Sequence, residues 1–385
     1  MFQTIKIVRG ENMIIYTPEL EKIGEINDYE SLTFKRVWED VGTFEFEIPN
    51  DAQYAIALFD DNFILIDEKR AGIITSYHID KNDIRTVKGY QIKAILRNRI
   101  IIPPSHTTHD RRYAEAETVM KHYVDRHAVY PSDSARLIPN LVLKANQKRG
   151  NYLQVESRLK NLAEQLKEIS LASGLGWDVY LDEEARQFVF DVQAGKNLTR
   201  NQQTYPPVIF STSLENVLER EFEKDTSSYK NTAYVGGQGE GEDRRIVETY
   251  TEAATGLARK EVFIDARDIS NQTEDKQEKP ESEIIKMLKD RGKQKLENEF
   301  SKIVSFVSYV TEKPGMEYEK DWTLGDIVTC EDDKIGVQMD ARVTDVEEVY
   351  QNNKRELKVT FGTTRLDVRK LLQREFAQIN NIIRN

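Results

Sequence analysis

Five histidines, one cysteine and a large supply of carboxylates are the residues of this chain that could do chemistry. His106 and His109 run into Asp110, and imidazole with carboxylate is a ligand set that suits zinc or iron. The run sits in a polar loop with no second ligand cluster and no helical HExxH arrangement, so no metal site is expected. His122 and His127 are five residues apart, which on an α-helix turns them about 140° away from each other. Gly236-Gly237-Gln238-Gly239-Glu240-Gly241 has the look of a phosphate loop. A phosphate cradle needs its glycines to open a helix, often with Lys-Ser or Lys-Thr, whereas here Glu242-Asp243-Arg244-Arg245 follows. A flexible or bulged connection is the better account. Cys330 ends the apparent strand Ile327-Val328-Thr329-Cys330 and reads as a buried, inert thiol. There is no G-x-S-x-G elbow. Asp182-Glu183-Glu184 could stand for the paired acids of a glycoside hydrolase, but a solvated hairpin turn explains them more simply among 66 acidic residues. The expectation is no catalytic residue, no metal and no cofactor.

Composition narrows the class further. The 385 residues allow two to four domains at about 100 to 200 residues each. A hydrophobic share of 39 % and a charged share of 31 % describe a polar but foldable chain, with small domains or large polar interfaces. A formal charge of −11 argues against a basic phosphate-binding face. A single cysteine excludes an intramolecular disulfide and fits folding in a reducing bacterial cytoplasm. No run reaches the roughly 20 apolar residues of a membrane helix, so no membrane anchor is expected, and the start shows no signal-length apolar stretch.

The elements that would position these residues are mainly β. Gly42 to Pro49 alternates Phe44, Phe46 and Ile48 with carboxylates, the period of a half-buried strand. Phe63 to Ile66 reads as a strand covered on both faces. Ile73 to Ile79 and Ile84 to Leu96 flank Asp80-Lys81-Asn82-Asp83 as a hairpin. These strands suggest a small barrel or sandwich, residues 1–104. Residues 105–208 read as α+β. Ala114 to Val129 is helical in composition. Leu159, Leu162, Leu166 and Ile169 mark a second helix that Gly174 stops, and Trp177–Leu181 with Phe188–Val192 form a hairpin. Residues 209–363 return to β, interrupted at 240–302 by a polar loop and a helix, Glu281 to Ile303, with a flaw at Gly292. A last helix over 364–385 carries Leu372, Phe376, Ile379 and Ile383 on one side.

Several segments, in order, resemble the baseplate hub and tail-associated (tail tip) proteins of long-tailed phages and phage-tail-like particles. Val37-Trp38-Glu39-Asp40-Val41-Gly42, running on through Phe44, Phe46 and Pro49, is similar to that family's N-terminal strand. Ala71-Gly72-Ile73-Ile74, Gly89-Tyr90 and Leu96-Arg97-Asn98-Arg99-Ile100 resemble its next hairpin. Gly176-Trp177, Phe188-Val189-Phe190, Tyr229-Lys230-Asn231 leading to Tyr234-Val235-Gly236-Gly237, Leu324-Gly325-Asp326-Ile327-Val328 and Thr360-Phe361-Gly362 continue the likeness.

The resemblance implies a phage tail hub-like fold with two barrel-like β domains per subunit, an α+β middle domain and a helical insertion. It further implies a homotrimer whose pseudo-sixfold ring joins a sixfold tail tube, or a distal tail protein, to a threefold spike or fibre. DNA would pass through the lumen without specific binding, and the protein would reside at the virion tail tip. Because the sequence ends at Asn385, the hydrolase or fibre extension of many relatives is not carried over, and a separate spike or fibre is expected. Leu372, Phe376, Ile379 and Ile383 are the residues expected to dock that partner. The competing readings are a cell-wall-degrading tail enzyme and a host-receptor-binding module.

Overall fold

The computed structural model describes residues 12–272, 277–351 and 354–362. The chain divides into two compact units, one running through Glu221 and resuming at Phe306–Gly362, the other being Phe222–Ser305. The first unit opens with seven strands: β1 (Met13–Tyr16), β2 (Lys22–Ile26), β3 (Ser31–Val37), β4 (Thr43–Pro49), β5 (Phe63–Asp67), β6 (Arg70–Ile79) and β7 (Ile84–Gln91). In β4 the aromatic positions are buried and Thr43 and Glu45 are exposed, as the alternation requires. The β6–β7 hairpin forms around Asp80, whose carboxylate accepts from the backbone of Asn82 and Ile84. The strand expected to reach Leu96 stops at Gln91, and Ile92–Asn98 winds into a 3-10 helix with Ile92 to Leu96 buried.

The α+β stretch follows with β8 (Asp110–Glu115), α1 (Ala116–Val124), β9 (Leu141–Leu143), β10 (Tyr152–Ser157), α2 (Leu162–Ser173), β11 (Gly176–Asp182) and β12 (Gln187–Gln193). Asn161 caps α2 through its side-chain oxygen, and Gly174 ends it at φ 74°. Leu159 lies outside that helix. The β11–β12 hairpin pairs Trp177 with Val192 and Leu181 with Phe188. Helices and sheets here share one core that includes Met120, Tyr123, Leu166, Trp177 and Phe190.

Strands β13 (Ile209–Ser211) and β14 (Val217–Asp225) lead to the second unit. There β15 (Thr232–Gly236) is central between antiparallel β16 (Ile246–Tyr250) and parallel β17 (Glu261–Asp265), and α3 (Glu281–Asn298) packs on one face. Gly292, a flaw in the helical pattern, is buried against Val235 and Thr249, where the helix backbone approaches the sheet. The chain returns through β18 (Ile303–Val310), β19 (Ile327–Asp332), β20 (Val337–Gln351) and β21 (Lys354–Gly362).

The two expected barrels are not what these strands build. The order β21-β20-β3-β4-β7-β6-β5-β1-β2 is one open path ending at β2, with β19 on β20 and β13 on β19. Among the described residues no sheet closes. The reason is the length of β20. Its first part, Val337 to Arg342, pairs with β19, and its second part, Asp345 to Gln351, pairs with β3. β20 thus joins the late strands to the early ones. The architecture is mixed β and α+β. The expected C-terminal helix, with Leu372, Phe376, Ile379 and Ile383, lies outside the described residues.

Candidate functional site

Three of the sequence segments that carried the resemblance meet at one place in the first unit. A bulge falls between Val343 and Asp345 of β20. There two consecutive carbonyls accept from different segments: Val343 from the Gly325 N–H at 2.8 Å, Thr344 from the Trp38 N–H at 2.9 Å. A bulge turns successive backbone groups the same way, so β3 and the Leu324–Asp326 turn abut along β20. Trp38 fills the junction. Its Nε1 donates to the Gly174 carbonyl at 3.2 Å, and its ring lies against Gly176 and Gly325. A methyl on Gly176 would come within 2.4 Å of that ring and one on Gly325 within 2.2 Å; Gly325 also holds φ 93°. Trp177 reciprocates by donating from Nε1 to the Glu39 carbonyl at 3.0 Å.

Beneath the tryptophans lies a buried amine. Lys93 donates from Nζ to the carbonyls of Val37 at 2.7 Å and Trp177 at 3.0 Å, and stands 4.6 Å from the centre of a Trp177 ring. Burial pulls its pKa down to about 8. Burial also pushes the Glu39 carboxyl up to about 7, with Asp345 nearby adding to the rise.

A charged network continues from this junction. Gln91 donates from Nε2 to Asp178 Oδ1 at 3.0 Å, and the other oxygen of Asp178 faces Arg36 at 3.5 Å. Arg36 reaches Glu319 at 3.1 Å and the Tyr318 hydroxyl at 3.3 Å. Glu319, at φ 67°, bridges to Arg70 at 3.1 Å. Arg70 grips the fully buried Glu348 with Nε at 2.6 Å and Nη2 at 3.0 Å, and Arg355 and the Tyr350 hydroxyl complete that carboxylate. Burial opposes the charges on Arg36, Arg70 and Glu319. The neighbouring arginines still hold Glu319 below the ordinary carboxylate range; Tyr318 with the carboxylates of Asp178 and Glu319 holds Arg36 above its ordinary value, and Glu348 with Asp67 and Glu319 does so for Arg70. Such a network costs desolvation and fixes one arrangement of its elements, because removing a member leaves a buried charge unpaired. Its chemistry is that of a clamp. No reacting centre is formed.

The histidines behave differently from expectation. After α1 the chain makes a π turn over Asp125–Val129, whose wider turn reduces the angular offset that an α-helix would leave. His122 and His127 therefore both place Nε2 on Asp110, each at 2.8 Å and each on its own carboxylate oxygen. Although burial opposes ionisation, these bonds hold Asp110 well below the usual carboxylate range. Asp110 is thus engaged with His122 and His127. The set His106, His109 and Asp110 does not form a ligand cluster. Among the described residues, no group of three His, Cys, Asp or Glu is arranged to hold a metal. Cys330 is buried and its thiol pKa is raised by burial. Glu183 and Glu184 are exposed at the β11–β12 turn. Reading the sequence missed the clamp, since nothing distinguishes Glu319 or Glu348 among so many acids. The one signal was that Trp38, Trp177 and Gly325 all lay in the family-like segments.

Comparison with known proteins adds to this geometry. No curated protein matches the sequence. Among the solved structures that match in fold are three tail proteins. One is the 43 kDa tail protein of prophage MuSo2 from Shewanella oneidensis, with TM-score 0.59, 11 % identity, and 92 % of this chain and 98 % of that one covered. Another is the prophage tail protein gp18 from Listeria monocytogenes EGD-e, at 0.56, 11 %, 97 % and 100 %. The third is a tail protein from Neisseria meningitidis MC58, at 0.52, 14 %, 91 % and 95 %. At these identities the likeness is one of fold. A family model described as Siphovirus ReqiPepy6 Gp37-like protein matches residues 12–363. By that match over nearly all of its length, this chain belongs to the Siphovirus ReqiPepy6 Gp37-like family.

Proposed function

We propose that this chain is a structural, non-enzymatic subunit of a phage tail tip. As a baseplate hub it forms a homotrimeric ring that joins a sixfold tail tube, or distal tail protein, to a threefold spike or fibre. The observation that carries the reading is a fold shared along almost its full length with three solved tail proteins. The clamp supports it: a ring under mechanical load needs its β and α+β parts held in one arrangement, and buried charge pairs specify arrangement more than they stabilise. The β regions 1–104 and 209–363 supply the ring, with the α+β stretch 105–208 between them. The terminal segment 364–385, through Leu372, Phe376, Ile379 and Ile383, docks the spike or fibre. Three chains at −11 each give an acidic or neutral lumen, through which DNA passes without being held. The protein is made in the bacterial cytoplasm and ends at the tail tip.

Light scattering on the full chain tests this. The expected mass is three times the 44.7 kDa subunit, and a stable monomer in the presence of its tail partners would refute the ring. Removing the residues after Arg369 is expected to abolish tip attachment and leave trimers intact. Loss of folding would refute the docking role. Salt-sensitive, tight binding of duplex DNA to the ring would refute the acidic lumen.

A further inference from the structure

Two surface patches of the first unit carry features that its own fold leaves unused. The first is a seat. Leu159 N–H donates to the Ile101 carbonyl at 2.7 Å and Ile101 N–H to that of Lys160 at 2.8 Å, so two short segments run side by side. Ile101 is buried, which turns Ile100 and Ile102 outward. With Leu137 and Leu159 they make an apolar surface whose members are 42 to 59 % exposed. Leu159 holds φ 51°, a conformation that L side chains of its bulk avoid. Beside it, Arg99 donates to the carbonyls of Asn98, Arg136 and Leu137, and Arg136 donates to that of Ile100. Neither guanidinium forms an ion pair among the described residues. Burial and the neighbouring Arg136 both act against the charge on Arg99. Arg158 is exposed at the rim, and Lys160 is already paired with Glu168 at 2.5 Å.

The second patch is a knob on the connection between β4 and β5. Around the short turn Ala55–Ala57, Ile56 is 85 % exposed, Phe59 46 % and Tyr54 36 %. Asp51, Asp60 and Asp61 are exposed around them and form no ion pair among the described residues. The one buried cation behind the knob, Arg85, is spent on Asn50 Oδ1 and on the Leu58 carbonyl, with its guanidinium over Tyr77. Tyr54 and Asp61 also hold positive φ, at 64° and 69°. Asn62 Nδ2 ties the turn down through the Ala57 carbonyl at 2.8 Å. The Tyr54 ring lies against Gly24 and the Asp61 N–H donates to the Ile74 carbonyl at 3.0 Å, so the knob is held rigidly while Ile56 and Phe59 stay exposed.

Apolar knob with carboxylates and apolar seat with uncompensated arginines are complementary in both respects. They lie on different parts of one chain, and a contact between unlike patches repeats head to tail, which makes a ring where the rotation closes. We infer that Ile56 and Phe59 of one copy seat among Ile100, Ile102, Leu137 and Leu159 of a second copy, with Asp60 and Asp61 facing its Arg99 and Arg136. This deepens the hub reading and rests on it, naming the surfaces by which subunits join.

The test uses the full chain and two variants, Ile56→Asp on the knob and Leu159→Asn on the seat, followed by sedimentation velocity. Each variant alone is expected to lose self-association with an unchanged far-UV circular dichroism spectrum. Leu159→Asn is also expected to raise the melting temperature, because Asn tolerates the left-handed conformation. Mixed together they should form one-to-one dimers, since the intact seat of one still meets the intact knob of the other and no ring can close. Wild-type assembly in both variants overturns the inference and leaves the trimer standing. Should the wild type sediment as a monomer, mixed Ile56→Cys and Leu159→Cys chains are oxidised; the native Cys330 is buried and does not compete. A cross-linked dimer then keeps the contact while the trimer falls, and its absence removes both.

Discussion

Replacing Gly325 with alanine tests whether the Trp38 junction is built as described. Two costs arise at the same atom. At φ 93° the methyl group is strained whatever the space, a cost of about 1–2 kcal/mol. It would also lie 2.2 Å from the Trp38 ring, which must move within a buried site, and such overpacking costs about 1–3 kcal/mol more. Trp38→Ala alone empties a buried tryptophan site and loses its bond to Gly174, with an expected loss of about 3–5 kcal/mol. In the double variant the clash disappears and only the conformational cost of the Gly325→Ala change remains. The cycle should therefore return a favourable coupling of about 1–3 kcal/mol between the two substitutions. Urea unfolding followed by tryptophan fluorescence measures it in the right part of the molecule. Trp38, Trp177 and Trp322 all lie in the first unit, and the last two remain as probes when Trp38 is removed. Additive costs, or a Gly325→Ala cost under about 0.5 kcal/mol, would show that the ring does not occupy the glycine's space and would refute the junction.

Further outcomes follow from the charged groups. The raised pKa of Glu39 means the folded chain keeps a proton that the unfolded chain releases, so stability falls as pH rises from the ordinary carboxylate value to about 7. Glu39→Gln should match the wild type at pH 5 and exceed it by about 1–3 kcal/mol at pH 8; parallel profiles in urea melts would refute the shift. Glu348→Ala takes the two-pronged carboxylate from buried Arg70, which keeps only the more exposed Asp67 and Glu319, and should cost about 1–3 kcal/mol, whereas Glu348→Leu with Arg70→Met should recover most of that loss in the same assay. For Asp110 the sign is opposite. Its lowered pKa gives stability that is present above pH of about 4 and lost as pH falls below it, so Asp110→Asn should flatten the acid limb of the stability profile.

Much of this fold was legible because its signals are local. Alternation in β4, the helix stop at Gly174 and the turns at Asp80 and Asp182 depend only on neighbours a few residues away, and each formed where it was read, although the helix before Gly174 starts at Leu162 and leaves Leu159 out. Family-like segments around Trp38, Trp177 and Gly325 were visible too, and with them the family. Their meeting was not visible. Which edge of β20 takes β3 and which residues of it take β19 depends on a 15-residue strand choosing partners some 300 positions apart, and that choice left the sheet open where barrels were expected. The clamp was hidden for a related reason. Arg36, Arg70, Glu319 and Glu348 are ordinary charges in the sequence, and only burial together makes each depend on the others. His122 and His127 point the same lesson at short range, since one π turn replaced the α-helical geometry that had set them apart. Periodicity is a property of the chain, but the partner of a strand edge or a buried charge is a property of the packed core, where desolvation gives each group few alternatives.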